Sequence, residues 1–251
     1  MPRWVEVFHG FVIELPGEQA KLTTVLGQGV GPLVTIYGVY RSRASRPLWL
    51  LGEIGMEFEH VPVIQAYRLG DAVAPDAPLN TNSPRFRRVN PMGQIPAMRD
   101  GDLTLTESLA ITLYLAQQYG GDLGPKDPVE IGEATNWGFF AATAIEPHAL
   151  DIMMTINRGD AETDAGQVII DKALEPLHRG LARLDQHLLH RDHVMGERFT
   201  VADIVLAECC RYAQSMAGLV QEYPSVQRWL TACQRRPAFL AFWEKRMAEP
   251  A

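Results

Sequence analysis

Cysteine is scarce in this chain: Cys209, Cys210 and Cys233 are the only three in 251 residues, an odd number with no Cys-x-x-Cys spacing. That pattern fits a reducing compartment and supplies neither a disulfide framework nor a thiolate metal site, so no metal is expected. Basic charge is also short, with 23 Lys and Arg against 30 Asp and Glu, for a net charge of −7. Nucleic acids and anionic membranes favour basic patches, so neither is an expected partner. No apolar run approaches the roughly 18 residues of a membrane span. Glu6 interrupts the opening MPRWVEVFHGF, which does not read as a signal peptide. The cytoplasm is the expected location. Repeats and low-complexity tracts are missing too. What remains, 47% hydrophobic and 21% charged, is ordinary for a folded protein with room for two domains.

The most informative stretch is VNPMGQIPAMRDGDLTLTESLAITLYLAQQY at 89–119. It predicts an Asn90-Pro91 turn, a strand over 94–98, an Asp100-Gly101 hairpin turn, a strand over 103–105 and a helix opening at Ser108. Pro96 has no N–H, so its strand should lie at a sheet edge or present Ile95 to something other than a neighbouring strand, such as a peptide ligand. Because only about 5–6% of X-Pro bonds are cis, local sequence alone does not predict a cis Ile95-Pro96. Glu107 and Ser108 stand where a strand feeds a helix. Free helical amides there suit a carboxylate, and an acidic side chain suits an ammonium group.

Upstream, the β-branched and aromatic LVTIY at 33–37 predicts a buried strand. Pro47 is tolerated only in a first turn, so a helix should start within a few residues of Ser45 and stop at Gly55. MEFEHVPVI at 56–64 alternates as a second strand, which completes a right-handed βαβ unit. A long Pro-, Asp- and Asn-rich segment follows before Arg87 and Arg88. Residues 1–32, with a strand-like pattern over 4–15, read as an extension outside the fold. Past a linker at 120–127 the pattern is helical over 129–157, 166–189, 200–218 and 228–235, with a tail from Pro237. Phe199-Thr200-Val201-Ala202-Asp203 reads as a capping box, with Phe199 stapled to Ile204.

The 89–119 stretch resembles the second half of the thioredoxin-like domain of cytosolic glutathione transferases. GERFTVADI at 196–204 is similar to the buried helix of that family's second domain. The resemblance covers about 33–245. It implies an α/β thioredoxin-like N-terminal domain (βαβ-ββα, 33–121), a linker at 122–127 and an all-α C-terminal helical bundle over 128–251. It further implies that Ile95 pairs its backbone with the cysteinyl part of glutathione beside a cis Pro96. Glu107 and Ser108 would hold the γ-glutamyl end, and Gln94 the region of the glycyl end. A homodimer is implied as well.

A thiol of pKa about 8.5 is only a few per cent thiolate at pH 7, and lowering it by two units takes about 2.7 kcal/mol of differential stabilisation. A hydroxyl donor with helix amides can supply this. The loop after the first strand offers Tyr37, Tyr40, Arg41, Ser42, Arg43 and Ser45, and no cysteine. Ser42-Arg43-Ala44-Ser45-Arg46-Pro47-Leu48-Trp49-Leu50-Leu51 resembles the serine-type pattern of bacterial, theta-like or fungal-like members, which makes Ser42 the expected thiolate donor. Tyr37, Tyr40 and Ser45 are its rivals. The implied activity is transfer of glutathione to a small hydrophobic electrophile. A glutathione-dependent peroxidase or disulfide reductase, or a non-catalytic binding or scaffold protein, are the alternatives. An electrophile pocket should lie between the domains. Trp137, Phe140, Ile145, Met153, Met154, Tyr212 and Met216 are its candidates, although helical spacing suits each of them to the core.

Overall fold

A computed structural model describes residues 34–250. Leu33, the expected extension 1–32 and its strand-like pattern lie outside the described residues. Strand β1 (Val34–Tyr37) buries Val34 and Ile36 on one face and sets Thr35 and Tyr37 on the other. The chain then crosses over through helix α1 (Ser45–Ile54) to β2 (Glu59–Val61), which pairs parallel to β1. As the proline requires, α1 opens at Ser45 with Pro47 in its first turn. It ends at Gly55, whose φ of +70° is a left-handed cap that lets its N–H reach the Leu51 carbonyl. After a short helix α2 (Pro84–Arg87), the hairpin β3 (Ala97–Asp100) and β4 (Leu103–Leu105) leads into α3 (Ser108–Tyr119). The sheet order is β2-β1-β3-β4, with β3 antiparallel to both its neighbours.

One expected strand shifts, from 94–98 to Ala97–Asp100, and another shortens. The ladder of the 94–98 strand begins only at Ala97, so Pro96 withholds no donor from the sheet and β3 can be internal, between β1 and β4. Of 56–64 only three residues pair with β1, and Ile64 makes a separate bridge to Asn80. The two faces of the sheet differ. Val34, Ile36 and Met98 pack in one core with Leu48, Trp49, Leu50 and Leu51 of α1 and Ile111 and Leu115 of α3. Each such fully buried aliphatic side chain contributes about 1.5–3 kcal/mol. On the other face Tyr37 and Ala97 meet Val63 and Phe86 in a small second cluster.

The helical half comprises α4 (Pro128–Phe140), α5 (Glu146–Asn157), α6 (Asp164–Leu188), α7 (Val201–Cys210), α8 (Pro224–Gln234) and α9 (Pro237–Ala248). The single helix expected over 129–157 is instead α4 and α5 joined by a wide π turn at Ala141–Ile145, just ahead of Pro147, which has no N–H to extend the α ladder. The helix expected over 200–218 ends at Cys210 and tightens to 3-10 turns over Arg211–Ser215. All ten residues of α7 are buried. Its capping box is formed, and Asp203 accepts from Thr200 N (2.9 Å), Val194 N (2.9 Å) and the Trp229 indole (2.8 Å). At Gly180 of α6 a Cβ would stand 2.7 Å from the Ala144 carbonyl oxygen, so only glycine lets α6 approach the π turn. No helix among the described residues is long and apolar enough to cross a membrane.

Candidate functional site

The sheet register collects the chain's turns at one end. Tyr37 pairs with Ala97 and Val61, and Met98 pairs with Leu105. The loop leaving β1, the segment entering β3 and the start of α3 after β4 therefore all lie at the same edge. The Ile95-Pro96 bond is cis. Gly38, with φ +145°, is the first residue past β1. A Cβ there would meet Ala44 Cβ at 2.9 Å, Ile95 Cβ at 3.5 Å and Pro96 Cα at 3.7 Å. This glycine lets the β1–α1 loop close onto the cis-proline turn. Pro96 is buried, Ile95 half-buried and Gln94 exposed. Neither the N–H nor the carbonyl of Ile95 has a hydrogen-bond partner among the described residues.

Ser42 is half-buried in that loop. Its hydroxyl donates to the Val39 carbonyl at 2.7 Å while Oγ accepts from Ala44 N at 3.0 Å. Its three rivals sit differently. Ser45 is fully buried and donates to Glu208 of α7. The Tyr37 ring packs against Phe86 (6.3 Å between centroids) on the α2 face. Tyr40 lies edge-on to His60 (5.2 Å) and beside Phe242 of α9 (5.9 Å).

Glu107 is the exposed N-cap of α3 and bonds none of the helix amides with its side chain. Ser108, at 5% exposure, accepts from Arg46 Nη1 at 2.7 Å, which leaves the hydroxyl proton free to point elsewhere. Arg46 heads a buried network spanning both halves. Its Nη2 lies 2.7 Å from Glu146 Oε1 and 3.4 Å from Cys209 Sγ, and its Nε has no acceptor among the described residues. Arg43 adds a 2.6 Å bond to the same Glu146 oxygen, and Arg211 pairs with Glu208 at 2.8 Å. Burial works to raise the Glu146 carboxyl, but the Arg46 and then Arg43 guanidinium groups outweigh it and hold it below the usual carboxylate range. At Glu208 burial is likewise outweighed, by Arg211 and the Ser45 hydroxyl. Burial pushes the Cys209 thiol up to about 12 against the pull of Arg46, and carries Cys210 and Cys233 well above the ordinary thiol value.

Arg46, Glu146 and Glu208 were not among the site residues expected from the sequence. A signal existed at Arg46 and Glu208, each being the one charge in an otherwise apolar helix face (RPLWLL and VLAECC). Glu146 had none, because its partners lie about a hundred residues away. Of the electrophile-pocket candidates, Trp137, Phe140, Ile145 and Tyr212 are buried in the core, whereas Met154 is half exposed. Phe140 also lines a groove of about 650 Å³ between α4, α5 and α6, with Phe139, His148, Arg179 and Arg183. None of Ser42, Gln94, Ile95, Pro96, Glu107 or Ser108 borders that groove.

Comparison with known proteins agrees with this architecture. The family "Glutathione S-transferase, N-terminal domain" matches residues 40–118, and "Glutathione S-transferase, C-terminal domain" matches 167–232. Glutathione S-transferase F13 of Arabidopsis thaliana is 32% identical over 208 residues, which span 78% of this chain and 88% of the relative. Glutathione S-transferase 3 of Zea mays is 31% identical over 215 residues, 81% of this chain and 90% of the relative. Among solved structures, the theta class glutathione S-transferase of Xanthomonas axonopodis pv. citri, crystallised with glutathione, superposes with a TM-score of 0.71. It is 29% identical, over 87% of this chain and 99% of that one. Glutathione transferase F7 of Populus trichocarpa gives a TM-score of 0.70 at 30% identity, over 85% and 99%. With the four-stranded sheet, the helical second half and these relatives in agreement, the chain belongs to the glutathione S-transferase family.

Proposed function

We propose that the protein binds glutathione at the sheet end described above and activates its thiol for attack on a small hydrophobic electrophile. The observation that carries this reading is Ile95, whose N–H and carbonyl are both unpaired among the described residues, beside a buried cis Pro96. A peptide laid along that segment would satisfy both groups as an added strand. The cysteinyl residue of glutathione is such a peptide. The first amides of α3 and the Ser108 hydroxyl, oriented by Arg46, would take the γ-glutamyl carboxylate, and the exposed Glu107 its ammonium group. Gln94 would meet the glycyl end. The crystal structure of the Xanthomonas relative with glutathione bound supports the same ligand here.

Ser42 is the thiolate donor in this reading. In the free protein its proton is engaged by the Val39 carbonyl, so the sulfur must compete with that acceptor. The hydroxyl turns to the thiolate while Oγ keeps the Ala44 amide. The thiol's proton passes to bulk water on ionisation; the thiolate then forms a sulfur–carbon bond to the electrophile, and the leaving group departs with its electron pair. A disulfide reductase using a protein thiol fits less well, because all three cysteines are buried and held as thiols. We extend the proposal to a homodimer, for which the exposed Val129 and Phe139 of α4 supply apolar surface.

The test is a titration of the purified protein with glutathione, following ultraviolet thiolate absorbance from about pH 5 to 9. Ionisation of the bound thiol well below the free value is the expected result. Binding without that shift would refute the transferase mechanism, and no binding would refute the site.

A further inference from the structure

The last turn of α9 and the residue after it are built into the loop that carries Ser42. The Glu249 carboxylate accepts from two consecutive backbone amides, Tyr40 N at 2.7 Å through Oε1 and Arg41 N at 2.8 Å through Oε2. Arg246 reinforces the joint from both sides, donating from Nη1 to the Tyr40 carbonyl at 2.7 Å and accepting from Arg41 Nε at 3.0 Å through its own carbonyl. Gln65 holds the Arg41 carbonyl at 3.1 Å, and Arg68 bonds the Pro250 carbonyl. The Tyr40 ring lies beside Phe242, with Lys245 Nζ 5.8 Å from its centroid. Among the described residues the carboxylate is the only acceptor for these two amides, which belong to no helix or strand ladder. Ser42 follows directly, its hydroxyl donating to the Val39 carbonyl.

We propose that Glu249 is a positioning residue for the thiolate donor. Resting on the glutathione reading above, the inference is that this carboxylate fixes the Tyr40–Arg41 peptide and thereby sets the direction in which Ser42 offers its hydroxyl. A single side chain 208 positions from Arg41 in sequence then governs how far the bound thiol's ionisation is lowered. Its two carboxylate oxygens are taken up by the loop amides and bond none of Ile95, Glu107 or Ser108, so its removal should leave recognition of the peptide at Ile95 and Glu107 intact. Two loop amides freed from a charged acceptor become solvated and their conformations multiply. The serine is then aimed correctly only part of the time.

The experiment compares the full-length protein with Glu249→Ala and Glu249→Gln. Three quantities are read: the pH at which bound glutathione ionises, the affinity for S-methylglutathione, which has no thiol, and hydrogen exchange of the Tyr40 and Arg41 amides. For Glu249→Ala we expect the bound thiol's midpoint to rise by about one pH unit, roughly tenfold less thiolate at a fixed pH below it. Affinity for S-methylglutathione should stay within about twofold and exchange at both amides should accelerate, because the loop alone is released. Glu249→Gln keeps one acceptor oxygen and should fall between. Faster exchange with an unchanged thiol midpoint, in a protein whose wild type does lower it, would overturn the inference and leave the glutathione site standing. Unchanged exchange would overturn it as well. A wild type that binds glutathione without lowering its thiol midpoint would remove the transferase reading and this inference together.

Discussion

Replacing Glu146 by glutamine should be among the most damaging conservative changes in the molecule. The side chain is almost isosteric, so shape is kept and the negative charge alone is removed. Arg46, 1% exposed at its side chain and 2.7 Å from Glu146, then remains a buried cation with only neutral acceptors in reach, and its Nε already has none among the described residues. Breaking a buried pair by removing one partner costs about 3–5 kcal/mol. The amide introduced by Glu146→Gln keeps an acceptor for Arg46, and the half-exposed Arg43 contributes little because water screens it. That places the expected loss near the lower bound, about 3 kcal/mol. For a domain of this size 1 kcal/mol moves the thermal midpoint by about 2–4 °C, so the midpoint should fall by about 6–12 °C. Calorimetry and urea unfolding give the two readings. The double variant Arg46→Met with Glu146→Leu, which buries no charge, should recover much of the loss. A Glu146→Gln midpoint within about 2 °C of wild type would falsify the view that this carboxylate balances a buried cation.

Other outcomes follow from the same geometry. Ser42→Ala should remove most of the lowering of the bound thiol's ionisation while changing affinity for glutathione by no more than severalfold; a full shift retained in the variant would transfer the role elsewhere. Glu107→Ala should weaken glutathione about tenfold, about 1.4 kcal/mol, less than a fully buried pair would because Glu107 is exposed before binding; calorimetric titration shows whether it does. Gly38→Ala places a methyl 2.9 Å from Ala44 Cβ at a positive φ and should cost about 1–3 kcal/mol, with glutathione affinity falling in parallel; an unaffected protein would mean that the loop need not approach Pro96 so closely. Glu146 and Glu208 are both held below their unfolded ionisation range, so their contribution is present above about pH 4.3 and lost as pH falls through the folded values. Unfolding midpoints measured downward from pH 6 should drop more steeply in wild type than in Glu146→Gln.

Short-range chemistry was legible. Asp100-Gly101 turns the hairpin, Gly55 ends α1, and Thr200 with Asp203 caps α7, since each depends on residues within a few positions. Where the sequence misled, the deciding partner was distant. Alternation in MEFEHVPVI cannot say that β1 offers pairing for only three of its residues. Apolar spacing runs through 129–157 without marking the π turn, whose clearest sign is Pro147. The cis bond at Ile95-Pro96 was expected from the family resemblance and not from local preference, and the residue that leaves room beside it, Gly38, lies far earlier in the chain. Glu249 was invisible for the same reason: an isolated carboxylate after a helix carries no sign of the amides it meets.

The buried network has a consequence for how such chains can be recombined. Ser45 and Arg46 come from α1, whereas Glu146, Glu208 and Cys209 come from the helical half, so the seam joins the Arg46 cation on one side to its Glu146 counter-charge on the other, with the Ser45 hydroxyl bonded to Glu208 beside it. Joined at the linker to a relative's helical half lacking these carboxylates, the sheet half would carry an orphan cation into the seam. Compatibility between parental halves should therefore be decided by this handful of residues, and a screen of chimaeras sorted by them would separate soluble products from insoluble ones better than overall identity does.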